Sequence, residues 1–135
     1  MAYIVLNSTV QTLGVPTVTL NSEQQPFNFV IDTGSNASHI DKLAVEKLRK
    51  VPKDVIPATP TSGISGALHS EGKVTPIFKS GIFSFECPML ITDLSNVIND
   101  IKQAGGPEIH GILGMDFLSK YRCHLDFKKN RLHLG

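Results

Sequence analysis

Apolar positions along this chain fall in short runs that are cut at frequent intervals by turn formers, a rhythm of strands rather than long helices. "YIVL" at 3–6, "VPTVTL" at 15–20 and "FNFVI" at 27–31 are rich in β-branched and aromatic residues, which suit a pleated, half-buried surface. They predict an N-terminal strand and then a hairpin turning through the polar "NSEQQP". In "DKLAVEKLRK" the residues Leu43, Ala44, Lys47 and Leu48 recur at helical spacing. Asp41 is placed as an N-cap and Pro52 as a stop, so a short helix is expected there.

The next stretch, "IPATPTSGISGALHSEGKVTPIF", has three prolines and three glycines in 23 residues. That composition predicts a hairpin arm rather than a packed central strand, reversing either around Ile64, between Gly63 and Gly66, or at Ser70 to Lys73. "GIFSFECPMLIT" resumes a β pattern. "SNVINDIKQAGG" then sets Val97, Ile98, Ile101 and Ala104 on one helix face, with Gly105 as the C-terminal stop. In "HGILGMDFLSKYRCHLDF" an apolar strand runs into Gly114, a helical turn follows from Met115 to Tyr121, and the alternating "RCHLDF" and "RLHL" close the chain as strands. The pattern predicts an all-β fold with two or three short helices. No repeat or linker interrupts it, and 135 residues read as one domain, 1–135.

Charge removes several function classes. Thirteen Lys and Arg against twelve Asp and Glu leave a formal charge of +1, and no basic run exceeds the pair Lys128 and Lys129, so no nucleic-acid footprint is expected. No apolar run approaches the roughly 20 residues needed to span a bilayer, and the opening residues lack the form of a signal peptide. No membrane partner and a cytoplasmic location are the expectation. Cys87 and Cys123 stand far apart in apolar settings and read as reduced packing residues. The five histidines show no metal-ligand spacing, which argues against a metal-dependent hydrolase, and no cofactor is expected. His39, close behind the turn described next, is expected to pack rather than react.

One placement demands a chemical reason. In "FNFVIDTGSNASHI" an apolar strand runs straight into Asp32 and then Thr33, Gly34 and Ser35. An acid at the buried end of a strand costs several kcal/mol unless it is hydrogen-bonded, about 2–7 kcal/mol for polar groups in general. A plain turn would account for Asp-Thr-Gly alone, with Asp accepting backbone hydrogen bonds and Gly supplying conformational freedom. Paired with a second apolar strand, "GILG", that ends at the start of a short helix, the motif is far more specific.

These residues resemble the retropepsin-like aspartic proteases, the family of the retroviral proteases and their bacterial and cellular relatives. The resemblance runs from about Val15 to the C terminus. It implies a closed or barrel-like acid-protease fold in which Asp32, Thr33 and Gly34 form the catalytic loop. It also implies a hairpin called the flap, mapped here to Gly63, Ile64 and Gly66, that closes over a bound peptide, and an apolar-apolar-Gly segment, Ile112 to Gly114, that precedes the short helix. Ser35 resembles the residue that hydrogen-bonds the outer carboxylate oxygen, and the Thr33 hydroxyl resembles the one that ties two active-site loops together across a symmetry axis. Met115 and Asp116 stand where viral members usually carry a basic residue after the glycine.

The implied chemistry is peptide hydrolysis by two carboxylates sharing one proton, one activating water and the other protonating the carbonyl oxygen. Only one Asp-Thr-Gly is present. Asp116 falls in a first helical turn, where an acid is favoured by the dipole, and Asp126 has no turn after it. The second carboxylate is therefore expected from a second copy of the chain, making a homodimer with a peptide or protein substrate. The rival from another class is a catalytically inactive module that keeps the fold for dimerisation or peptide binding.

Overall fold

The computed structural model describes residues 2–48, 53–54, 60–63 and 66–135, of which 53–54, 60–63 and 66–69 are described by their backbone alone. In chain order the elements are β1 (Tyr3–Val5), α1 (Thr9–Leu13), β2 (Thr17–Ser22), β3 (Gln25–Ile31), β4 (His39–Asp41), a 3-10 turn (Ala44–Lys47), β5 (Lys53–Asp54), β6 (Pro60–Gly63), β7 (Gly66–Val74), β8 (Ile77–Ser80), β9 (Phe83–Glu86), β10 (Met89–Thr92), α2 (Ser95–Gln103), β11 (Gly111–Leu113), α3 (Met115–Lys120), β12 (His124–Asp126) and β13 (Arg131–His133). The fold is all-β with few short helices. Its large sheet runs in the order β5, β7, β10, β4, β11, β3, β2, β8, β9, and β6 pairs with β7. A second, three-stranded sheet joins β1, β13 and β12, so that the two ends of the chain meet.

Strand β3 organises the interior because its alternating side chains serve two different cores. Phe27, Phe29 and Ile31 join the larger core, where the Phe78 ring meets those of Phe27 and Phe29 at centroid distances of 5.3 and 5.1 Å. Val30 points the other way, into a smaller aliphatic layer with Leu94, Val97, Ile101, Ile109 and Ile112 that carries α2. Each of these large buried side chains contributes about 1.5–3 kcal/mol by leaving water. Strand β11 repeats the device, with Leu113 on the first side and Ile112 on the second. It is the middle strand of a three-strand crossing, parallel to β3 with Leu113 beside Ile31, and antiparallel to β4 with Gly111 beside Ile40.

Several expectations need correcting. The hairpin between β2 and β3 turns on Glu23 and Gln24 alone, both at positive φ (47° and 67°), so the strands extend into the polar "NSEQQP". Side chains other than Gly or Asn in that conformation left no sign of so tight a turn. Helix α1, rich in β-branched residues and ended by Gly14 at φ 72°, was not foreseen.

The helix expected from Asp41 is instead strand β4 followed by one 3-10 turn. The Asp41 carboxylate does not cap that turn. It accepts the Leu43 and Leu94 N–H groups at 3.2 and 2.9 Å and so ties β4 to the start of α2. Leu43, placed on the apolar face by its spacing, is 73% exposed. Helix α2 follows the expected pattern at Val97 and Ile101, which are buried, and at Ile98, which packs beside them, but Ala104 is exposed at its C-cap, with Gly105 at φ 87° behind it.

In the arm, Gly63 lies opposite Gly66 across the β6–β7 pair, while Ser70 to Lys73 fall inside β7 rather than at a reversal. Ile64 lies outside the described residues.

Candidate active site

Asp32 follows directly on β3, at the end of a strand whose last three residues are fully or almost fully buried. Its N–H donates to the Leu113 carbonyl at 3.0 Å, so the parallel pairing of β3 and β11 continues into the loop. Its side chain is half-buried, and the Gly34 N–H donates to Oδ1 at 2.9 Å while the Ser35 N–H donates to the Asp32 carbonyl at 3.1 Å. A Cβ on Gly34 would lie 3.2 Å from the same Oδ1. Glycine lets the loop curl against the carboxylate at a distance that a side chain would crowd.

Thr33 and Gly34 are exposed beside the acid, whereas Ser35 is 1% exposed. The Ser35 hydroxyl donates to the Ala37 carbonyl at 2.7 Å, which makes it a brace within the loop. Thr33 borders a cavity of about 390 Å³ shared with Met115, Leu118, Cys123 and Leu125. The loop thus presents one half-buried carboxylate beside the exposed Thr33 and Gly34. Asp32, Thr33 and Gly34, expected to form a catalytic loop, lie together in one turn, and the arm residues Gly63 and Gly66 are paired with each other on another part of the sheet.

The floor under the loop is built by residues 113–116. The Met115 N–H donates to the Ser35 carbonyl at 2.7 Å, and the Gly114 N–H donates to the Ser38 hydroxyl at 3.0 Å. Gly114 has no room for a side chain, since a Cβ would stand 2.4 Å from the Ala37 carbonyl oxygen and 2.8 Å from that of Ser35. Asp116 accepts three hydrogen bonds, from the Ser38 hydroxyl at 2.6 Å, the Ser38 N–H at 3.1 Å and the Phe117 N–H at 2.7 Å. Sequence reasoning gave Asp116 a helix-dipole role and passed over Ser38, because spacing alone does not show that α3 folds back onto the loop.

Burial shifts the nearby His39, Cys87 and Cys123 toward their neutral forms. His39 is fully buried on β4, with Nδ1 2.9 Å from the Thr92 hydroxyl. Burial holds its pKa below the ordinary value of 6.5, against the opposing pull of the Asp116 and Asp32 charges. His39 packs, as its position suggested. The Cys87 thiol is pushed up to about 12, chiefly by burial and then by the Asp116 charge, so it stays protonated. Cys123 is likewise a free thiol, pushed up to about 11 by burial. Among the described residues, no group of three or more His, Cys, Asp or Glu side chains is placed to hold a metal ion. No helix there is long and apolar enough to cross a membrane.

The profile of the aspartyl protease family matches residues 16–117, which span the Asp32–Ser35 loop, the arm and the start of α3. The chain belongs to the aspartyl protease family. Its fold is similar to that of the EIAV protease complexed with the inhibitor HBY-793, with a TM-score of 0.59 over 84% of this chain and 93% of that one at 21% identity. Together these make it a retropepsin-like member of the family. No curated protein matches the sequence.

Proposed function

We propose that this aspartyl protease family member is an endopeptidase that hydrolyses peptide bonds with a water molecule held between two Asp32 carboxylates, one from each chain of a homodimer. The observation that carries this reading is the single Asp-Thr-Gly loop. It presents one half-buried carboxylate, held by the Gly34 N–H, with Thr33 and Gly34 exposed beside it. One such loop supplies half of a dyad. A two-fold axis beside Asp32 supplies the other half and brings Thr33 of each chain against the partner's loop.

In the working form one Asp32 is ionised and the other protonated. The ionised carboxylate takes a proton from water as the oxygen attacks the scissile carbonyl, and the protonated one gives its proton to the carbonyl oxygen. The resulting tetrahedral diol collapses as the protonated Asp32 gives its proton to the amide nitrogen and the other Asp32 takes one from a diol hydroxyl, so that the C–N bond breaks, the amine leaves and the dyad again holds one proton. Asp32, Thr33 and Gly34 are the catalytic-loop residues in this reading. Ser35 supports the loop beside the substrate, and the arm at Gly63, Ile64 and Gly66 closes over the bound peptide and excludes water. Residues 1–135 act as one domain that carries half of the site.

The test is cleavage of a degenerate peptide library by the purified chain across acidic and neutral pH, with and without a transition-state-mimicking aspartic protease inhibitor. Inhibitor-sensitive cleavage that Asp32→Asn abolishes supports the reading. A folded wild-type dimer that binds peptides but cleaves none of them would assign the chain to the non-catalytic class instead.

A further inference from the structure

The Ser38–Asp116 pair does more than end a strand and start a helix. We infer that Asp116, acting through Ser38, is a positioning residue for Asp32. The inference rests on the endopeptidase reading for its consequence in catalysis, and on the hydrogen-bond geometry for everything else.

Four successive residues of one segment grip the loop. The Leu113 carbonyl accepts the Asp32 N–H, the Gly114 N–H reaches the Ser38 hydroxyl, the Met115 N–H reaches the Ser35 carbonyl, and the Asp116 carboxylate takes both polar hydrogens of Ser38. The Ser38 hydroxyl is the joint of this set. It donates its one hydrogen to Asp116 at 2.6 Å and accepts the Gly114 N–H at 3.0 Å, and Ser38 is fully buried. A carboxylate suits the position because three donors converge on it and it carries only acceptors. An apolar side chain at 116 would take the fixed acceptor from the buried Ser38 hydroxyl and N–H and leave only water, which reaches the exposed position 116 but does not hold the loop in one place. The loop would then reseat, carrying with it the Gly34 N–H that orients the Asp32 carboxylate.

A misplacement of a fraction of an ångström at Asp32 slows the chemical step far more than it weakens peptide binding, because the dyad must match the reacting atoms only in the transition state. Asp116→Ala and Ser38→Ala should therefore each lower kcat by about 10- to 100-fold with KM within about two-fold of wild type. Each removes the same joint, so the double variant should be no slower than the slower single one. Asp116→Asn keeps an acceptor for the Ser38 hydroxyl and should recover most of the lost rate.

A second readout needs no activity. The Gly34 amide proton, hydrogen-bonded to Asp32 Oδ1, has an NMR position set by that carboxylate, and it should move in Asp116→Ala and Ser38→Ala while amides of the β12–β13 hairpin stay in place. If Asp116→Ala does not fold, Ser38→Ala carries both measurements. A Gly34 resonance unmoved in a folded variant, rate losses that multiply in the double variant, or a raised KM with kcat intact would each overturn the inference. A wild-type chain that cleaves nothing would sink the endopeptidase reading and still leave the Gly34 resonance to decide this one.

Discussion

Asp32 and Asp116 sit just beyond the ends of two neighbouring parallel strands, β3 and β11, and are used in opposite ways. Around Asp116, three donors from the loop and the helix converge on the two carboxylate oxygens. Around Asp32, the Gly34 N–H donates to Oδ1, and the residue is half-buried beside the exposed Thr33 and Gly34, whereas Asp116 itself is exposed. A carboxylate bonded to three fixed donors is held in one place and serves as structure. One with the Gly34 N–H on a single oxygen, beside two exposed loop residues, suits the proposed exchange of a proton with a second chain. The comparison teaches that the same residue type at the end of a buried strand is assigned by its donors, which the strand pattern does not display.

The widest separation between the two acids should appear in activity. Asp32→Asn keeps the shape of the loop and removes the proton shuttle, so peptide cleavage should fall by ~1,000-fold or more with the unfolding midpoint little changed. Asp116→Asn should cost less than about 10-fold. Equal losses in the two variants, measured as kcat on one peptide, would remove the distinction.

The two loop glycines should differ in stability. Gly114→Ala drives a Cβ to 2.4 Å from a backbone oxygen, which no rotamer change can relieve, and should destabilise the fold by about 3 kcal/mol or more. Gly34→Ala meets only the movable Asp32 carboxylate at 3.2 Å, and should cost less than about 1 kcal/mol while disturbing activity. Urea unfolding of both variants checks the order, and a Gly114→Ala chain as stable as wild type would show that α3 does not seat against the loop as described.

The strand-ending acid, the Asp-Thr-Gly turn, the Ile-Leu-Gly segment and α2 were all legible, because each is written locally in apolar runs, glycines and a helical period. Strand β4 was hidden because His39–Asp41 is short and takes its partners from β10 and β11, far along the chain. The apparent helix that followed came from apolar spacing that the fold spends differently, burying Ala44 and Val45 and exposing Leu43. The Ser38–Asp116 joint was hidden for the same reason as β4, since a hydrogen bond across 78 positions has no local sign.

If Asp32 completes its dyad with a second copy of the chain, inactive chains should poison active ones. An equal mixture of wild type and Asp32→Asn, reassorted at random, leaves about a quarter of dimers wild-type on both sides, so activity per wild-type chain should fall to about half. The measurement is cleavage at fixed wild-type concentration against mutant fraction after co-refolding. Constant activity per wild-type chain, with mixing verified by mass, would mean that each chain holds a whole site.

The smallest effect concerns the acid side of the working range. A dyad that must keep one proton should turn over fastest at acidic to mildly acidic pH and slow as both carboxyls ionise. Two histidines packed in the same crossing pull the other way. His39 has its pKa lowered by burial, and His110 has its own lowered by burial and then by the Lys47 cation, with Glu108 and Asp41 partly opposing. Both are more readily protonated in the unfolded chain than in the folded one. Between the lowered folded value and the ordinary 6.5 the unfolded state therefore binds more protons, and stability rises with pH. Their contribution is fully present above about pH 6.5 and is lost as pH falls below it, into the range where the dyad should work best. The urea midpoint of the wild-type chain should thus drop between pH 7 and pH 5. In His39→Gln, whose amide can still meet the Thr92 hydroxyl, the drop should be shallower even if the midpoint at pH 7 is lower. A wild-type midpoint that holds or rises on acidification, or a His39→Gln slope as steep as wild type, would show that burial on β4 does not hold His39 in its neutral form in the folded chain.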